Sequence, residues 1–95
     1  MKEDWDNKEF VLQEVQKSGN ALVYASDKLR NDKDVVLAAV KEYGWALLYS
    51  SEELRADREV VLEAVKQDGF AIKFASDELK NDRDILKACF LNREG

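Results

Sequence analysis

The chain has 95 residues with 20 acidic and 15 basic side chains, a net charge of −5, no proline, no histidine and a single cysteine. A hydrophobic fraction of 45% is enough for a packed core, and the acidic balance disfavours a general nucleic-acid or anionic-membrane surface. Lone Cys89 leaves no internal disulfide or thiolate metal cluster, and without a leader or an apolar run of about 20 residues the expectation is one soluble, cytoplasmic domain over 1–95.

Four copies of one unit make up the chain. They begin at Asn7, Asp32, Asp57 and Asp82, each 25 residues after the last, giving repeats 7–31, 32–56 and 57–81 and a partial repeat 82–95. Just before the first copy, Trp5 stands at the phase later held by Arg30, Arg55 and Lys80. A large aromatic there predicts a lid over the uncovered side of the first repeat. Each copy opens on Asn or Asp, whose side chain accepts from unpaired N–H groups at a helix start, worth about 1 kcal/mol per cap. Glu9, Asp34, Glu59 and Asp84, two places on, complement the positive end of the helix dipole. The Asp-x-Asp pairs at 32/34 and 82/84 have the oxygen chemistry for a divalent cation. Asn7 and Glu59 substitute at these phases and no further ligands converge in sequence, so capping is the reading and no metal or other cofactor is expected.

Along the second copy, Val35, Val36, Leu37, Ala39, Val40 and Tyr43 span roughly 200° of a helical wheel, leaving a strip of Asp34, Ala38, Lys41 and Glu42. An arc that wide predicts a helix covered on both flanks by neighbouring copies. Gly19, Gly44 and Gly69 then read as helix stops in the left-handed conformation. The segments after them, with Ala21, Ala46 or Ala71 followed by Tyr24, Tyr49 or Phe74, read as a short second helix whose aromatic packs in the core. Ser26, Ser51 and Ser76 come next in register and predict a serine-capped turn, of 3₁₀ type. As nucleophiles they lack the usual histidine base.

The repeat departs from itself in a direction. Leu12, Leu37 and Leu62 give way to Lys87, and Val23 and Leu48 to Lys73; on the opposite edge Ala39, Ala64 and Cys89 correspond to Glu14, and Trp45 and Phe70 to Asn20. Polar residues where a neighbour is missing predict a finished array with polar ends, as terminal repeats require. Cys89 then falls on an interior, alanine-type position as a buried structural thiol.

These residues resemble the domain-of-unknown-function 4116 repeats, whose pattern is D-x-[DE]-V-V-L-x-A-V-K, a glycine, and an alanine, aliphatic and aromatic segment ending in Ala-Ser. Asp32 to Ser51 and Asp57 to Ser76 match best, Asn7 to Ser26 more loosely with Glu14 in place of alanine, and Asp82 to Phe90 over the first helix alone. The resemblance implies tandem helical repeats and carries no activity or functional residues to transfer.

The fold expected is therefore all-α, a short solenoid-like helical-repeat array, with a compact helical bundle as the alternative. For function, the expectation is a non-enzymatic, monomeric module that binds a protein or peptide through positions that vary between copies: Gln13, Ala38 and Glu63; Lys17, Glu42 and Gln67; Ser18, Tyr43 and Asp68. A structural spacer or assembly unit is the alternative. Phosphate or nucleic-acid binding would use the columns Lys8, Lys33, Arg58, Arg83 and Arg30, Arg55, Lys80, which are interleaved with acids and read better as an ion-paired surface. No histidine, phosphate loop or separate carboxylate pair points to an enzyme.

Overall fold

The computed structural model describes residues 4–94, so residues 1–3 and 95 of the expected domain lie outside the described residues. Its regular structure is entirely helical. In chain order these are α1 (Lys8–Lys17), α2 (Asp27–Arg30), α3 (Lys33–Glu42), α4 (Glu52–Arg55), α5 (Arg58–Gln67), α6 (Asp77–Lys80) and α7 (Arg83–Glu94). Six-residue 3₁₀ segments, Gly19–Tyr24, Gly44–Tyr49 and Gly69–Phe74, follow α1, α3 and α5.

Each long helix starts where a side chain can cap it. Phe10 N–H donates to Asn7 Oδ1 at 2.9 Å, Val35 to Asp32 at 3.3 Å, Val60 to Asp57 at 3.1 Å and Ile85 to Asp82 at 3.2 Å. The short helices are single turns capped in the same way by Ser26, Ser51 and Ser76, which accept from Leu29, Leu54 and Leu79 N–H. The two short segments of each repeat thus exchange the geometries expected of them. The alanine segment is 3₁₀ and the serine turn is α, each serine turn holding its N-cap oxygen on the backbone N–H three residues on.

Burial follows the wheel. In α3, Val35, Val36, Ala39 and Val40 are buried, and in α5 so are Val60, Val61, Ala64 and Val65. The long helices pack in succession, α1 on α3, α3 on α5 and α5 on α7. Each 3₁₀ segment lies against both its own long helix and the next, and the 3₁₀ segments touch one another in the same order. The result is a two-layer array measuring 45 × 25 × 15 Å, in which every repeat borrows its neighbour to close its core. A backbone bond repeats with it: Ser26 N–H donates to Trp5 O at 2.9 Å, Ser51 to Arg30 O at 3.0 Å and Ser76 to Arg55 O at 3.0 Å.

The glycines have a different reason from the one expected. No described glycine has a positive φ; the residue before each, Ser18, Tyr43 or Asp68, is extended and ends the helix. Glycine is required instead by close approach. A Cβ on Gly44 would sit 2.6 Å from the Ala64 carbonyl oxygen, and one on Gly19 would strike the Ala39 carbonyl and lie 2.7 Å from Tyr43 Cβ. Cys89 takes the alanine's place at the third junction, buried, with Sγ donating to Gly69 O at 3.2 Å.

This distinction is testable. Gly44→Ala is expected to destabilise the fold by about 1–3 kcal/mol, an overpacking cost, read as a fall in Tm of about 4–8 °C per kcal/mol for a chain of this size. Gly44→Asn, which a left-handed cap would tolerate, should be at least as damaging; an Asn variant more stable than the Ala variant in thermal denaturation would restore the cap explanation.

Candidate functional site

The chemistry at the surface is organised by a ladder of ion pairs between repeats. Lys8 Nζ reaches Asp32 and Asp34, both at 3.1 Å; Lys33 Nζ reaches Asp57 at 3.1 Å and Glu59 at 2.9 Å; Arg58 reaches Asp82 at 2.9 Å and also pairs with Asp84. Each cation of one repeat therefore sits between the helix-capping acid of the next and the acid two places on. The acids serve three ends at once: cap, dipole partner and inter-repeat tie.

The titration behaviour reflects this pairing. Asp32 and then Asp34 hold the Lys8 ammonium above its ordinary pKa, and Glu59 and then Asp57 do the same for Lys33. Partial burial pushes the Asp57 carboxyl up, but the Val60 N–H and the Lys33 ammonium together outweigh it and leave its pKa lowered. The Arg58 guanidinium, aided by the Ile85 N–H, lowers Asp82. The first basic column is thereby paired over three of its four members. In the second, Arg30 pairs with Asp27 and Lys80 with Asp77.

The positions that vary between copies do not form one strip. Lys17, Glu42 and Tyr43 line a hollow of about 370 Å³ with Ser18, Gly19 and Asn20. Ala38 and Glu42 line a neighbouring trough of about 530 Å³ between α1 and α3, whose floor is Leu12 and Leu37 and whose rim is Gln16, Asp34 and Lys41. Gln13 and Glu63 line neither hollow. Gln67 is not a spare surface group, since its Oε1 accepts from Gly44 N–H at 2.5 Å. Asp68 likewise accepts from Trp45 Nε1 at 2.8 Å and caps Phe70 N–H at 3.0 Å. Both are held in place by bonds across the junction between the second and third repeats.

Aromatic positions separate by their neighbours. Trp5 is the expected lid: it lies edge-on to Phe10, with centroids 5.1 Å apart, and 5.3 Å from Tyr24. Tyr24 nonetheless stays 65% exposed, against the expectation of core packing, while Tyr49 and Phe74 are half-buried. Trp45 reaches forward onto Phe74, at 5.3 Å, with the Lys73 ammonium 5.0 Å above its ring. Its edge is therefore the one facing the following repeat, so Asn20 is not polar for want of a neighbour, and Lys73 replaces leucine to cover Trp45. The expected polar ends hold at Glu14, which pairs with Lys17, and at Lys87; they fail at Phe90 and Leu91, which are 59% and 65% exposed.

Among the described residues no group of side chains could hold a metal ion, and no helix is long and apolar enough to cross a membrane. The serine oxygens act as helix caps, as given above, and Ser50 Oγ donates to Leu47 O at 2.8 Å.

The ladder predicts an acid limb in stability. Asp57 and Asp82 have folded-state pKa values below their unfolded ones, so their contribution is complete above the ordinary value of about 3.9 and is lost as pH falls through the lowered values. Thermal denaturation of the wild type should show Tm declining below about pH 4. Asp57→Asn with Asp82→Asn keeps two capping oxygens and should flatten that decline, as should about 1 M salt, where screening acts within ~3 Å. An unchanged acid limb in the double variant would remove the ladder from the account.

The geometry described here, one helical unit stacked at a constant period and tied by the same contacts at each junction, agrees with comparison to known families. No curated protein and no solved structure matches this chain. The model of the family described as Domain of unknown function (DUF4116) matches twice in tandem, over residues 7–55 and 57–93, and so covers nearly all of the sequence. On that match, the chain belongs to the DUF4116 family.

Proposed function

We propose that the protein is a non-enzymatic interaction module that binds a peptide segment of another protein in the trough between α1 and α3. The observation that carries this reading is the trough itself, where Leu12, Leu37 and Ala38 offer apolar surface beneath a polar rim. A site of this kind takes one small apolar anchor and reads its flanks by charge. On that rim Asp34 is already paired with Lys8 and Glu42 stands near Lys41, so the preference for a basic partner comes from the chain's net charge of −5. The peptide chemistry that fits is an apolar anchor flanked by basic residues.

Ion pairing of the basic columns gives a nucleic-acid reading less support, since a phosphate would have to displace carboxylates already in place. The buried thiol of Cys89 suits a reducing, cytoplasmic compartment, and we take the module to be monomeric.

Panning a random peptide library on the full chain tests the proposal. Enriched peptides should share an apolar residue flanked by Lys or Arg, and Ala38→Arg, which fills the trough and adds a positive charge to it, should weaken their binding at least tenfold with Tm little changed. Enrichment of acidic peptides, or binding indifferent to Ala38→Arg, would defeat it.

A further inference from the structure

Two hollows stand at the same place in successive junctions. The first, of about 220 Å³, is lined by Asp27, Arg30, Tyr49, Ser50 and Ser51, and the second, of about 420 Å³, by Glu52, Arg55, Phe74, Ala75, Ser76 and Asp77. Every residue of the first has its counterpart 25 positions on in the second. In both, the arginine carbonyl accepts the next serine N–H at 3.0 Å, and the arginine Nε is buried without a hydrogen-bond partner. Packing around the stem, rather than bonding at that nitrogen, therefore fixes where each guanidinium sits.

The two hollows differ in what the guanidinium meets. Arg30 pairs with Asp27 of its own short helix. Glu52 stands at the phase of Asp27, yet among the described residues neither Glu52 nor Arg55 has an ion-pair partner, whereas Asp77 pairs with Lys80 at 3.8 Å. The wall is Phe74 in place of Tyr49, without the hydroxyl. The larger hollow thus offers one fixed cation, one free carboxylate and an aromatic wall, in a volume within the roughly 300–1,000 Å³ of small-molecule sites.

We propose that the hollow between the second and third repeats binds a free α-amino acid with an apolar side chain. The terminal nitrogens of Arg55 take the carboxylate, Glu52 takes the ammonium, and the side chain lies against Phe74 and Ala75. The Asp27–Arg30 pair is the precedent within the chain, since there the same phase of arginine already holds a carboxylate. Charge selects against the alternatives. A phosphate would bring two negative charges toward Glu52 and Asp77, a simple carboxylic acid would leave its carboxylate beside an unanswered Glu52, and a simple amine would leave Arg55 unmatched. This hollow shares no residue with the trough between α1 and α3 and the inference does not rest on that reading.

The test titrates the full chain with L-leucine to about 50 mM and follows backbone amide and arginine Nε–H resonances by NMR. Saturable shifts are expected at Phe74, Ala75 and Ser76 and at the Nε–H of Arg55 but not of Arg30, with a Kd on the order of 1 mM. N-acetyl-L-leucine and L-leucinamide, which each lack one charge, should bind at least tenfold more weakly, as should inorganic phosphate. Glu52→Gln, at an exposed position, should leave Tm unchanged, weaken L-leucine at least tenfold and abolish its advantage over N-acetyl-L-leucine. Absence of saturable shifts with L-leucine would overturn the proposal, as would N-acetyl-L-leucine or phosphate binding as tightly. So would stronger L-leucine binding in Glu52→Gln, which would show Glu52 closing on Arg55 in the free protein.

Discussion

The structure depends on the close approach of one repeat's glycine to the long helix of the next. At Gly19 and Gly44 the backbone comes so near the Ala39 and Ala64 carbonyls that no side chain fits between. That approach sets the spacing of the long helices, and the small residue opposite, alanine or Cys89, completes it. Once the spacing is set, the valines of α3 and α5 are enclosed on both flanks and the 3₁₀ segment can bridge its own helix and its neighbour's. Because each repeat is closed only by another, stability is distributed along the array, with the ends as its exceptions.

The ion-pair ladder is built on the same spacing. A lysine or arginine at the first turn of one helix finds two carboxylates at the first turn of the next because the helices advance by a constant step. These pairs lie at the surface, where such bonds add little to stability but discriminate between correct and shifted neighbours. A shift of one position would part each cation from the two carboxylates it now joins. The ladder therefore acts as a register mark, whereas the apolar layer supplies the cohesion.

Much of this was legible in the sequence. Constant spacing of capping residues, a wide apolar arc and the absence of proline leave helices as the only regular structure, and Trp5 at an arginine phase announced a lid. Those signals are local: caps, periodicity and side-chain volume act within one turn or one copy. The candidate site was less legible. Glu42 and Ala38 share a trough, but Gln67 and Asp68, which also vary between copies, bond Gly44 and Trp45 across a junction. Variation in a repeat cannot separate an unconstrained surface from a position bonded across a junction.

The repeat, the helix starts and the apolar face of each long helix are written in the order of residues, because hydrogen bonding and hydrophobic periodicity are settled by near neighbours in the chain. Packing between repeats settles the rest: why Gly19 and Gly44 are glycine, that Trp45 reaches forward rather than back, and that Phe90 and Leu91 lie at the surface. These outcomes depend on the distance and direction of the next copy, which is set by packing across 25 residues of chain, a quantity no local signal contains.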